Sequence, residues 1–132
     1  MRFLICILLI TVLISCNDNN FEWHTIEVTA TAYNSLAYQT NDEPNITAWG
    51  DTLIPGDKCI AVSRDLIKKG LVHNTPVKIE GFKGVYLVKD KMNKRWKNRI
   101  DIYMGTDVKV AKQWGRRNIQ ITYGVKHKKA SN

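Results

Sequence analysis

Two aspartates eleven positions apart, Asp90 and Asp101, bracket five positive charges in "KDKMNKRWKNRIDIYMG", residues 89–105. Carboxylates suit general acid and base work when their surroundings hold the pKa near the working pH. Asp101 lies inside the alternating run Arg99-Ile100-Asp101-Ile102-Tyr103-Met104, which reads as a strand. If it faces a groove, burial between Ile100 and Ile102 raises its pKa; Arg99 and its basic neighbours, if close, pull it the other way, and the sequence leaves the two in balance. A structural role stands beside the chemical one. Asp101 is equally a strand acid paired with Arg99 or Lys97, and Asp90 equally a cap for the segment that begins at Lys91.

Other chemistries find less support. No P-loop glycine pattern, paired-cysteine zinc spacing or His-Glu-x-x-His motif occurs, and His24, His73 and His127 are scattered. No metal or other cofactor is expected. Of the three cysteines, Cys59 in "KCIAVS" sits in an apolar run, where a free cysteine is usually a small core residue. Among the aromatics, Trp114 reads as core. Trp96, flanked by Arg95 and Lys97, reads as an exposed platform for a flat ligand.

The positioning elements follow from local patterning. "IEVTATAY" (26–33), "CIAVS" (59–63), "PVKIEG" (76–81), "GVYLVKD" (84–90), "RIDIYM" (99–104) and "NIQITY" (118–123) predict six short strands. "RDLIKKG" predicts a helical turn or two ending at Gly70. "TDVKVAKQWG" predicts a helix capped by Thr106 and Gly115. Residues 34–57 are rich in Asn, Asp, Pro and Gly without a period, a long loop of the kind that is usually functional. Six short strands with two small helical insertions suggest a mainly β chain closed into a barrel, because closure removes exposed edges. No repeat is visible.

The first residues place the chain. "MRFLICILLITVLISC" has one base followed by an apolar run too short for a confident spanning helix, and Leu13-Ile14-Ser15-Cys16 resembles the lipobox of bacterial lipoproteins. The expected organisation is a signal peptide over 1–16 with lipid on Cys16, a tether over 17–25, the barrel over 26–124 and a basic disordered tail over 125–132. The expected address is the cell envelope, on the periplasmic face of the outer membrane, with the membrane engaged through the lipid. The chain carries a net charge of +8, and the leader accounts for only Arg2 of it. Such a balance calls for a polyanionic partner. A secreted, lipidated protein seldom meets nucleic acid, so none is expected; carboxylated wall glycan or anionic lipid fits the address.

Several motifs resemble, in order, those of the three-aspartate (3D) domain family: "TAYNS" (31–35), "TAWG" (47–50), "IAVSRDLI" (60–67), "VKIEG" (77–81), "VKD" (88–90), "RIDIYMG" (99–105) and "AKQWGRRNIQI" (111–121). The resemblance covers roughly residues 27–121. It implies a six-stranded double-psi β-barrel, similar to the catalytic barrel of membrane-bound lytic transglycosylase A. It also implies cleavage of the MurNAc–GlcNAc bond of peptidoglycan glycan strands with formation of a 1,6-anhydro sugar. By motif, Asp101 matches the family's acid/base and Asp90 its supporting aspartate. Tyr33, Thr47, Asp65, Trp96 and Tyr103 are the expected substrate-binding residues. Two positions depart from the family pattern. A basic "DKMNKRW" stands where the family has Asp-Thr-Gly-Gly, and Ser63 follows "IAV" where the family has an aspartate, with Asp65 two positions on. A non-catalytic, expansin-like wall-binding module is the rival reading. A membrane-surface adaptor acting through "KHKK" is a third.

Overall fold

The computed structural model describes residues 20–35 and 45–128. The leader with Cys16, residues 17–19, the middle of the long loop and the last four residues lie outside the described residues. Six strands form: β1 (Phe21–Tyr33), β2 (Cys59–Val62), β3 (Pro76–Ile79), β4 (Tyr86–Lys91), β5 (Arg99–Tyr103) and β6 (Arg117–Lys126). Two helices, α1 (Arg64–Lys68) and α2 (Val108–Trp114), follow β2 and β5. No helix among the described residues is long and apolar enough to cross a membrane.

Period-two patterning explains the closure. Val28 and Ala30, Ile60 and Val62, Val77 and Ile79, Ile100 and Ile102, and Ile119 and Ile121 all turn into one buried cluster, joined by Leu66 and Leu71. Burying such a side chain contributes about 1.5–3 kcal/mol, so these inward positions fix the register. A slip of one residue would turn Thr29, Thr31 and Asp101 into the core.

The strands close in the order β1-β5-β2-β4-β3-β6. β1 with β5 and β2 with β4 are parallel; the other four pairs are antiparallel. Advancing each strand by three positions in sequence maps this ring onto itself and exchanges the two parallel pairs. Each half is strand, strand, short helix, strand, and the halves interlock as a double-psi β-barrel. The repeat is one of topology, which is why no sequence repeat is visible.

Three boundaries differ from expectation. β1 begins at Phe21, so residues 21–25 are strand and not tether. β6 runs to Lys126, so the strand continues two residues into the expected tail. The two elongate each other, pairing Phe21 with Lys126 through to Ile26 with Ile121, and His127 N–H donates to the Asn20 carbonyl. Residues 22–25 of β1 are exposed on both faces, so this end of the strand shows no alternation. The N-cap of α2 is Asp107, not Thr106: the Asp107 carboxylate accepts the Val110 N–H at 3.0 Å. Ser63 precedes α1 without capping it, because its hydroxyl accepts the Arg99 N–H at 3.0 Å. Gly70 ends this segment with φ +114, and a Cβ there would stand 2.9 Å from Val125 Cγ2.

Candidate active site

The outer face of β1, β5, β2 and β4 carries the chemistry. Thr31 pairs with Asp101, Asp101 with Ala61, and Ala61 with Asp90. The two aspartates therefore flank a single alanine, with backbones two strand spacings apart, roughly 10 Å. Only a methyl group stands between them.

Asp90 reaches this face through an irregularity. Tyr86 and Val88 point into the core, and strict alternation would send Asp90 after them. The β2–β4 register shifts between Ile60 and Ala61, where Lys89 is the extra residue on β4. Such a bulge re-aims the side chains that follow it. It sets Asp90 level with Ala61 and Asp101.

Each carboxylate is held differently. Thr31 Oγ1 donates to Asp101 Oδ1 at 2.9 Å. Burial pushes the Asp101 pKa up to about 6; the Thr31 hydrogen bond and Arg99 oppose this, and Asp90 adds to it. Asp90 Oδ1 accepts the Ala48 and Lys91 N–H groups, both at 2.8 Å. Burial still raises the Asp90 pKa against those two bonds and Lys91, helped by Asp51. One carboxyl thus sits where it exchanges a proton near neutrality, beside a second that is bonded to backbone.

The "TAWG" segment supplies the Ala48 amide. Thr47 is buried, and its hydroxyl accepts the Asp51 N–H at 3.1 Å, closing a turn in which Ile46 bridges to Thr52. Thr47 thus shapes the turn that presents Ala48. Asp51 anchors the same turn by accepting from His73 Nε2 at 2.5 Å and Lys89 Nζ at 3.4 Å. Trp49 packs on His73 with ring centroids 5.0 Å apart. Burial acts to raise the Asp51 pKa, but the His73 and Lys89 contacts outweigh it and hold the group below its ordinary value.

Beyond Asp101 on the same face, Tyr33 pairs with Tyr103, rings 5.4 Å apart. Tyr103 Oη shares a 2.9 Å hydrogen bond with Ser35 Oγ. Among the described residues the buried Tyr33 hydroxyl has no hydrogen-bond partner. Burial raises its pKa strongly, with Cys59, Asp90 and Asp101 adding in that order, so the hydroxyl keeps its proton. Cys59 is buried with its thiol pushed up to about 12, chiefly by burial, so it is not a thiolate nucleophile. A cavity of about 290 Å³ lined by Asp51, Leu53, Asp57, Cys59 and Lys89, among others, adjoins this face.

Two expected residues sit apart from the row. Asp65 lies in the first turn of α1, where its carboxylate accepts the Asn98 N–H at 2.9 Å. Burial would raise its pKa, but hydrogen bonds from Ser63 and Asn98 outweigh burial and lower it. The two-residue offset from "IAV" carries it off the strand and onto the helix. Trp96 is half-buried, with the Arg99 guanidinium carbon 3.9 Å and that of Arg95 4.7 Å from its ring centroid. It is a base for arginines and not the open platform its neighbours suggested.

Sequence reasoning missed Thr31, Ala48, Asp51, Ala61 and His73. The first, second and fourth lie inside motifs quoted above, whereas nothing local marks Asp51 or His73, which meet only in the fold. No cluster of His, Cys, Asp and Glu suited to a metal occurs among the described residues.

A mainly β double-psi barrel with an aspartate row on its outer face is the class this architecture defines. Two solved structures resemble it: a mutant expansin of Clavibacter michiganensis in complex with cellohexaose, at 19% identity, and the apo expansin of the same organism, at 20%. Each match has a TM-score of 0.45 and covers 83% of this chain and 53% of the expansin chain, so this chain spans about half the length of those proteins. No protein-family model and no curated protein matches the sequence.

Proposed function

We propose that this barrel is a lytic transglycosylase of the three-aspartate type, cleaving the MurNAc–GlcNAc bond of peptidoglycan glycan strands, with Asp101 as acid and then base. The observation that carries the reading is the Asp101 carboxyl, half-buried, bonded to Thr31, raised to about 6 and level with a second aspartate across a single alanine. Protonated Asp101 gives its proton to the glycosidic oxygen as the C1–O bond breaks and positive charge develops at C1. The C6 hydroxyl of the same sugar then attacks C1 and returns its proton to the Asp101 carboxylate. The proton balance closes on one carboxyl, and no water is consumed. Asp90 supports this by its negative charge, which favours the protonated form of Asp101 and stabilises the cationic sugar. Tyr33 and Tyr103 line the approach.

The chain is tethered to the bacterial envelope by lipid on Cys16, on the periplasmic face of the outer membrane. The patterning of residues 1–16 supports this address.

A second reading, a wall-binding barrel without catalysis, draws on one observation: Asp90 Oδ1 already holds two backbone amides, and the loop after it is basic where the family has glycines. Incubating the purified full chain with sacculi, beside Asp101→Asn, separates the two. The expected outcome is anhydro-muropeptides from the parent chain and none from the variant. Retained pelleting on sacculi with no anhydro product from the parent would leave the binder and remove the enzyme.

A further inference from the structure

The strongest unassigned feature is a cluster of guanidiniums at one end of the aspartate row. Arg95 and Arg99 stack on the single ring of Trp96. Arg99 pairs with Thr29 and stands two residues before Asp101 on β5, about 7 Å along the strand and on the same outer face. Arg116 immediately precedes Arg117, which pairs with Ala30, the chain neighbour of the Thr31 whose hydroxyl holds Asp101. Arg116 and Arg95 are also close enough to Arg99 to depress its pKa, after burial and against the pull of Asp101. Among the described residues none of these three arginines forms an ion pair, and Arg99 Nε is buried without a hydrogen-bond partner.

Gathering three like charges costs free energy through repulsion and desolvation, and among the described residues only the Trp96 ring and the distant pull of Asp101 offset it, with no ion pair formed. Guanidiniums are planar forks matched to the two oxygens of a carboxylate, and a tryptophan beneath them fixes their orientation. We propose that Arg95, Arg99 and Arg116, seated on Trp96, form a carboxylate-binding subsite that places the anionic substituent of a glycan strand beside Asp101. The proposal rests on the glycan-strand reading and deepens it. In a muramic sugar the lactyl group stands on C3, two ring carbons from the C1 at which cleavage occurs, so its carboxyl end falls near the neighbouring subsite. The shared chemistry is a carboxylate, carried either by a bare lactyl group or by the stem peptide attached to it.

Binding is measured by titration calorimetry with the full chain carrying Asp101→Asn, which is expected to leave the strands uncleaved, against three probes. These are peptide-free glycan strands with free lactyl carboxylates, the same strands with those carboxylates converted to methylamides, and strands with intact stem peptides. The expected result is that at least one carboxylate-bearing probe binds about tenfold or more tightly than the amidated strands, the scale of one charge-assisted contact. That gap should close in Arg95→Ala/Arg116→Ala, two exposed positions whose loss leaves the core intact, and persist in Arg95→Lys/Arg116→Lys at reduced size. Tightest binding of the first probe assigns the carboxylate to the lactyl group; tightest binding of the third assigns it to the peptide. Equal affinity for all three probes overturns the subsite while leaving glycan binding standing. Binding to none of them overturns the glycan-strand reading itself, and the subsite with it.

Discussion

Asp101 is held in a state that disfavours its charge, and this has a consequence for stability. Its folded pKa, about 6, lies above its ordinary value of 3.8. An acid whose folded pKa is raised binds its proton more tightly when folded, so folding is favoured at low pH. That contribution is lost as pH climbs from about 4 through about 6. At pH 7 the ionised carboxylate is a liability on the order of 1–3 kcal/mol. Asp101→Asn is therefore expected to raise the Tm at pH 7 and to match the parent chain at pH 4, while removing anhydro product at both. A variant less stable at pH 7 than the parent would contradict the burial argument. The activity of the parent chain should fall on the alkaline side as Asp101 loses its proton, which a pH profile of anhydro release would record.

At the scale of elements, a methyl group and a turn keep the aspartate row usable. Ala61 lies between Asp101 and Asp90 and is buried, so Ala61→Val puts two methyl groups where the carboxylates face each other. The expected cost is about 1–3 kcal/mol of stability, read from the denaturant midpoint, together with loss of cleavage. The turn over 46–52 delivers Ala48 to Asp90 and is fastened by Asp51 to His73 and Lys89. Asp51→Asn should loosen that fastening, seen as faster amide exchange across 46–52, and reduce activity with little change in Tm. Unchanged exchange at Ala48 would assign the turn's rigidity to Thr47 alone. The strands were legible because "RIDI" and "NIQI" alternate cleanly over a buried face and "CIAV" is a short apolar run buried throughout. The bulge at Lys89 was not, because the apolar pattern Tyr86, Val88 and then Asp90 runs straight across it. The outward turn of Asp90 depends on the facing strand β2, whose Ala61 lies 29 residues earlier in no fixed relation to local pattern.

At the scale of the whole molecule, a net charge of +8 would make the proposed engagement of an anionic wall electrostatic in part. Pelleting of the protein on sacculi should weaken as salt rises and the Debye length falls below about 8 Å. Salt-independent pelleting would assign the affinity to neutral sugar contacts. Cys16→Ser is expected to move the protein from the membrane fraction to the soluble one. By itself the sequence determined the six strands, the two short helices, the closed mainly β class and the excess of positive charge. Each follows from periodicity or composition, which neighbouring residues carry locally. Only the tertiary structure decided that Asp101 and Asp90 share a face across Ala61, that Asp65 belongs to α1 and Trp96 to a pair of arginines, and that Asp51 meets His73. These depend on register between strands far apart in the chain. It also decided the contest at Asp101, where the sequence set burial between two isoleucines against nearby bases without a winner: burial and a neighbouring carboxylate outweigh Arg99 and Thr31, because desolvation depends on how the barrel closes around the group.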